Sequence, residues 1–125
     1  MRVSFTDREL DVMAVLWSRG SGTVAEVRDA LSDDLAYTTV LTVLRTLEDK
    51  GYVEHKNEGK AHRYAPLVEP AVAGKSALAR ILDTMFGGSP ELLLTQLVSD
   101  RRVDRKKLRE LRALLDDRLG KGGDR

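Results

Sequence analysis

Between Tyr37 and Thr46 the sequence places Thr38, Thr39, Thr42, Arg45 and Thr46 at helical spacing. At about 100° per residue, Thr38, Thr42, Arg45, Thr46 and Asp49 fall on one side of a helix, with Thr39 on its margin. Val40, Val43, Leu44 and Leu47 fall on the other side. The chemistry open to this set is recognition. A threonine hydroxyl bonds a phosphate or a base edge and its methyl packs on a thymine methyl, while arginine reaches a phosphate or the O6/N7 edge of guanine. Threonine lowers helix propensity, so a merely solvated face is a poor account of the run. Tyr37 stands beside this face at its start, and the acids Glu48 and Asp49 lie in the last turn. The set reads as a DNA-reading surface.

A second group lies just downstream. Lys60, His62 and Arg63 flank a glycine in the polar run Asn57–His62, opposed only by Glu58. A loop so charged can lie along a phosphate backbone. His55 and His62 have no cysteine or carboxylate partners at metal-ligand spacing, so no metal site is expected. Nothing resembles a nucleophile elbow, a P-loop or a glycine-rich dinucleotide turn. Neither catalysis nor a cofactor is expected.

These groups need elements to carry them, and the flanking sequence supplies three helices and a hairpin. Thr6 with Glu9 forms a capping box, and Phe5 with Leu10 the matching hydrophobic staple. Leu10, Met13, Ala14 and Trp17 then recur at helical spacing until Gly20 and Gly22 end the element. A second box, Thr23 with Glu26, opens a short helix with Val24, Val27 and Leu31 on one face. The third helix runs from about Tyr37 to Lys50 and stops at Gly51; Ala36 is a poor cap for it. Two β-prone runs, Tyr52–Lys56 and Arg63–Leu67, then enclose the loop, with Pro66 confined to an edge or strand end. Three helices followed by a hairpin is the order of a winged helix-turn-helix, whose second motif helix enters the major groove.

Beyond about Pro70 the pattern is helical only. Leu78, Ile81, Leu82 and Met85 form a stripe, Gly87-Gly88 breaks it, and Ser89-Pro90 restarts a helix. Leu92, Leu93, Leu94, Leu97 and Val98 make that helix strongly apolar. Asp104 caps a last helix lined by Leu108, Leu111, Leu115 and Leu119, and the tail Lys121–Arg125 is expected to fray. Three short appended helices cannot easily bury so many leucines alone. Homodimerisation through Leu78, Ile81, Leu82, Met85, Leu92, Leu93, Leu97, Leu108, Leu111 and Leu115 would cover them, and would set two reading helices about 34 Å apart on an inverted repeat. The expected organisation is therefore mainly α with a small β-hairpin: a winged helix-turn-helix over residues 1–68 and a helical dimerisation region over 69–125.

Composition bounds the rest. The chain has 125 residues, 42% hydrophobic and 33% charged, and no cysteine, which excludes disulfides and thiolate metal sites. It carries no signal pattern and no apolar run approaching about 18 residues, so the cytoplasm is the expected location, without membrane insertion. Net charge is +1, divided as 9 Lys/Arg against 11 Asp/Glu through Val68 (−2) and 12 against 9 thereafter (+3). A DNA surface on the first part must therefore be local. The slightly acidic balance also leaves open a winged-helix protein-interaction module with no DNA operator. The densest positive run, Arg101 to Arg112, reads as a solvated helix face partly paired with Asp104 and Glu110.

The run Ala36-Tyr37-Thr38-Thr39-Val40-Leu41-Thr42-Val43-Leu44-Arg45-Thr46-Leu47, followed by Lys50-Gly51 and His62-Arg63-Tyr64, resembles the BlaI/MecI/CopY family of penicillinase and copper-responsive repressors. Glu9 to Met13, Leu16-Trp17 and Thr23-Val24 with Val27 fit the same pattern. The resemblance implies a homodimeric winged-helix repressor of inverted-repeat operators on double-stranded DNA, often of TACA/TGTA type. In the β-lactam branch a membrane-embedded sensor leads to proteolytic release in the short C-terminal helix, at an Asn-Phe bond. Gln96-Leu97 falls at that place here. In the copper branch C-terminal cysteines bind the metal, and this chain has none.

Overall fold

The computed structural model describes residues 3–122. Its elements are α1 (Asp7–Arg19), β1 (Gly22–Thr23), α2 (Val24–Ala30), α3 (Tyr37–Asp49), β2 (Val53–Glu58), β3 (Ala61–Pro66), α4 (Pro70–Met85), α5 (Pro90–Val98) and α6 (Arg105–Gly122). Two compact units divide the chain, Met1–Ala79 and Arg80–Arg125. The division falls inside α4, later than the change of sequence character near residue 69, because Ala73 is buried in the core of the first unit.

Helix starts follow their caps. Both capping boxes form: Glu9 N donates to Thr6 Oγ1 and Thr6 N to Glu9 Oε1, and Thr23 with Glu26 repeats the arrangement on α2. The α3 N-cap Ala36 makes no side-chain cap, and Gly51 leaves the far end at φ +82°. Ser89 Oγ caps α5 and Asp104 Oδ1 accepts from Lys107 N at the start of α6. That last helix continues through Gly122, past the point where the sequence predicts fraying; Gly123–Arg125 lie outside the described residues.

The core of the first unit is drawn from every element in it except β1. Val12, Met13, Leu16, Val27, Val40, Leu44 and Leu47 are wholly buried, joined by Val53 and Tyr64 from the hairpin. The buried face of α1 is Glu9, Val12, Met13 and Leu16, so it is rotated from the stripe expected in the sequence. Leu10 is 42% exposed and Ala14 is exposed, while Phe5 packs against the rings of Trp17 and Tyr52. Trp17 Nε1 donates to Val68 O at 2.8 Å and fixes the exit of the hairpin onto α1.

Glu9 is a buried acid with more than one task. Besides closing its capping box, its carboxylate accepts from Lys50 Nζ at 2.9 Å on both oxygens, joining the start of α1 to the end of α3. Burial alone would raise this carboxyl, but the Thr6 amide and the Lys50 ammonium outweigh it and hold the pKa below the ordinary glutamate value.

The sheet has three strands, in the order β1-β3-β2, all antiparallel. The sequence pattern does not announce β1, since two residues give no alternation to detect. Gly22 is buried where an added Cβ would lie 3.1 Å from Val27 Cγ2, so a side chain at this position would press on α2 and Val27 would have to give. The hairpin is also tighter than its sequence suggests. Its strands extend to Glu58 and from Ala61, leaving Gly59-Lys60 as a two-residue turn with Gly59 at φ +60°. Glycine with positive φ at the first turn position matches a type II′ turn. The polar residues Asn57 and Glu58 pair through their backbones with His62 and Ala61, a bonding that side-chain character does not announce.

In the second unit, none of the described residues is buried.

Candidate nucleic-acid interface

Val40, Leu44 and Leu47 seat α3 on the core and thereby fix which of its residues face out. Tyr37, Thr38, Thr39, Thr42, Arg45 and Thr46 are all exposed. Among the described residues Arg45 has no hydrogen-bond or ion-pair partner, so its guanidinium presents its donors to solvent. Thr42 Oγ1 donates to Thr38 O at 2.9 Å and Thr46 Oγ1 to Thr42 O at 3.0 Å. Each hydroxyl proton is thus spent on the helix, while the oxygen keeps acceptor capacity. The recurring back-bonds fix the rotamers of two of the threonines.

The wing stands beside the C-terminal end of α3. His55 Nδ1 lies 2.8 and 2.7 Å from the two oxygens of Glu48, bridging β2 to the last turn of the helix. His62 stacks on His55 with centroids 4.3 Å apart and planes 11° from parallel, and His55 lies in turn against Tyr64. Tyr64 is buried, and that burial raises its phenol pKa. Lys60 occupies the turn itself, exposed and without an ion pair among the described residues. His62 sits on strand β3 and not in a loop, and it too is exposed.

Arg63 is placed differently from its two neighbours. Its Nε donates to Glu58 Oε2, its Nη1 to Glu26 Oε1 at 2.9 Å and to Ser21 Oγ at 3.3 Å. Nη2 completes the set with Glu26 Oε2 and Glu58 Oε1, each at 3.3 Å. The guanidinium pairs hold both carboxyls below their ordinary range and raise the arginine in turn. Arg63 is therefore engaged with α2, the approach to β1 and the facing strand, whereas Lys60 is free. Sequence reasoning had no means of pairing Arg63 with Glu26, 37 positions away. It also passed over Lys56, an exposed cation directly across the ladder from Arg63 and without an ion pair among the described residues. Its alternation with His55 was the available signal.

The penicillinase repressor family profile matches residues 5–117, almost the whole described chain. The chain belongs to the penicillinase repressor family. Members of this BlaI/MecI family are transcriptional repressors and not enzymes. A transcriptional regulator BlaI of Mycobacterium tuberculosis is 42% identical over 119 residues, covering 86% of this chain and 84% of that one. Among solved structures, the DNA-binding domain of the repressor BlaI shares 31% identity at a TM-score of 0.52, covering 58% of this chain and 90% of that domain. The monomeric form of Bacillus licheniformis BlaI, solved in complex with the blaP half-operator, gives 30% identity, a TM-score of 0.50 and the same coverage. The winged-helix class expected from the sequence is the class observed. Among the described residues no helix is long and apolar enough to cross a membrane.

Proposed function

We propose that this penicillinase repressor family member binds operator DNA as a homodimer, each α3 reading one half of an inverted repeat. The observation that carries the reading is the exposed α3 face: Thr38, Thr39, Thr42 and Thr46 around an Arg45 that no described carboxylate neutralises. Tyr37 flanks it, and Lys60 and His62 extend it onto the wing, where they would meet phosphates. Placement of the second motif helix in the major groove is general to helix-turn-helix proteins. The B. licheniformis relative solved with a half-operator supports the DNA partner.

The second unit supports the dimer. Ile81, Met85, Leu92, Leu97, Leu108 and Leu115 are exposed, and Leu82, Leu93 and Leu111 are only partly covered. Leu78, on the earlier part of α4, is exposed too. Apolar surface on this scale marks an association site, and a two-fold copy of the same surface would bury it. Gln96-Leu97, the candidate release site for a sensor protease, lies inside α5 with Leu97 exposed. Cleavage there would need that turn of helix to open first.

The test is fluorescence anisotropy with a duplex carrying a TACA/TGTA inverted repeat, against a scrambled duplex, over a salt series. Specific binding at two protomers per duplex is expected. Equal, weak binding to both duplexes would mean a different operator sequence or a different partner, the latter as in the protein-interaction module that the acidic balance of residues 1–68 left open.

A further inference from the structure

Arg63 is the only wing lysine or arginine among the described residues that is tied to carboxylates; Lys56 and Lys60 are free. Its two acidic partners belong to different parts of the fold. Glu58 lies on β2 of the hairpin, and Glu26 is the N3 residue of the α2 capping box, whose Oε1 also accepts from Thr23 N at 3.0 Å. The backbone of Arg63 pairs with Thr23 on one side and Lys56 on the other, so it is the middle residue of the three-stranded register. Through its backbone and its side chain together, this one residue bridges the hairpin, the short first strand and the helix that precedes the reading helix.

A hairpin six residues long on each strand is a lever. At its base it is held by Val53 and Tyr64 in the core, and on one side by the His55–Glu48 contact to α3. On the α2 side, the described structure supplies the Arg63 cluster, with Arg19 adding a weaker pair to Glu26 at 3.5 Å. We propose that Arg63 acts in DNA binding as a positioning residue: through Glu26 and Glu58 it sets the attitude of the wing relative to α2 and α3, and it does not itself take a phosphate. This rests on the operator-binding reading above. A guanidinium suits the task because its planar fork reaches two carboxylates at once, which an ammonium cannot do bidentately.

The two roles predict opposite signs when a carboxylate is removed. Were Arg63 a phosphate contact, Glu26→Gln would free it and reduce negative charge, and operator binding would tighten. For a positioning residue, Glu26→Gln weakens binding even though it removes a negative charge. Glutamine still serves at N3 of a capping box, so α2 keeps its start.

The experiment compares full-length wild type, Arg63→Gln, Glu26→Gln, Arg63→Lys and the Arg63→Gln/Glu26→Gln double variant. Operator-duplex anisotropy is read beside amide hydrogen exchange of residues 53–66 without DNA. Each single glutamine variant should lose about fivefold in affinity, the scale of a well-formed partly exposed charge cluster. The double variant should be no weaker than either single one, and Arg63→Lys should recover only part. Wing amides should exchange faster in both single variants. Glu26→Gln binding as tightly as wild type, or tighter, overturns the proposal, and so does unchanged exchange across the wing. If wild type itself shows no operator preference, the DNA reading fails, while the exchange measurement still decides whether the cluster holds the wing.

Discussion

The two units solve the same problem, covering apolar side chains, in opposite ways. In the first, α1, α2, α3 and the hairpin converge on one cluster from Val3 to Ala73, and nine of its side chains have less than 2% exposure. In the second, the end of α4 from Arg80 with α5 and α6 leaves Met85 72% and Leu119 71% exposed, and no described residue is buried. The leucine content does not cause the difference, since the second unit is rich in leucine. Geometry does. A sheet and three crossing helices enclose a volume, whereas a few short helices by themselves present a surface. A unit with a core holds the exposed face of α3 in place, and a unit without one leaves its apolar side chains at the surface.

That contrast can be broken, and the most damaging change is on the open unit. Leu111→Asp should convert dimer to monomer in analytical ultracentrifugation and reduce operator affinity by about 100-fold or more, the range given up when two linked sites bind separately. Trp17, the single tryptophan, lies in the first unit. Its fluorescence transition should hardly move in this variant; a large downward shift would mean that the first unit leans on the second for its stability.

The converse substitution comes next. Leu44→Ala removes a wholly buried side chain beneath the reading face and should cost about 2–5 kcal/mol in urea unfolding followed at Trp17. Self-association should survive it in sedimentation. Loss of the dimer in this variant would contradict the division of labour between the units.

At the reading face the expected effect is smaller. Arg45→Ala should weaken specific binding by about 1–3 kcal/mol and lower the salt slope by roughly 0.9 for each phosphate left without its counter-charge. An unchanged slope with weakened binding would assign Arg45 to a base edge instead.

The smallest effect is acid sensitivity, confined to the first unit. Glu9 has a folded pKa below its unfolded one, so its contribution is present above the unfolded value, near ~4.3, and is lost as pH falls through the folded value. Wild-type Trp17 melting should therefore drop as pH falls below about 4.5. In Glu9→Gln that drop should shrink, with a loss near neutral pH of about 1–2 kcal/mol, since Lys50 is partly exposed and screened.

Local signals carried most of the fold. Thr6 with Glu9, Thr23 with Glu26, and Ser89 with Pro90 each start a helix where the residues say they should, because a cap satisfies orphan amides within three or four residues. The two faces of α3 were legible for the same reason: with Leu44 and Leu47 inward, helical periodicity sends Thr42 and Arg45 outward. Where periodicity was weaker it misled, as on α1, where Leu10 and Glu9 exchange the positions that hydrophobicity alone assigns. Glu9 goes inside because Lys50, 41 positions away, meets it there.

By itself, then, the sequence determined the helices, their caps, the inward and outward faces of α3 and the family to which they correspond. These follow from interactions that reach at most one or two turns. Tertiary structure alone decided that Gly22-Thr23 would pair with β3, that Glu9 would be buried, and that Arg63 would clasp Glu26 and Glu58 while Lys60 stayed free. Each of those depends on which distant segment arrives alongside, and no local period encodes that arrival.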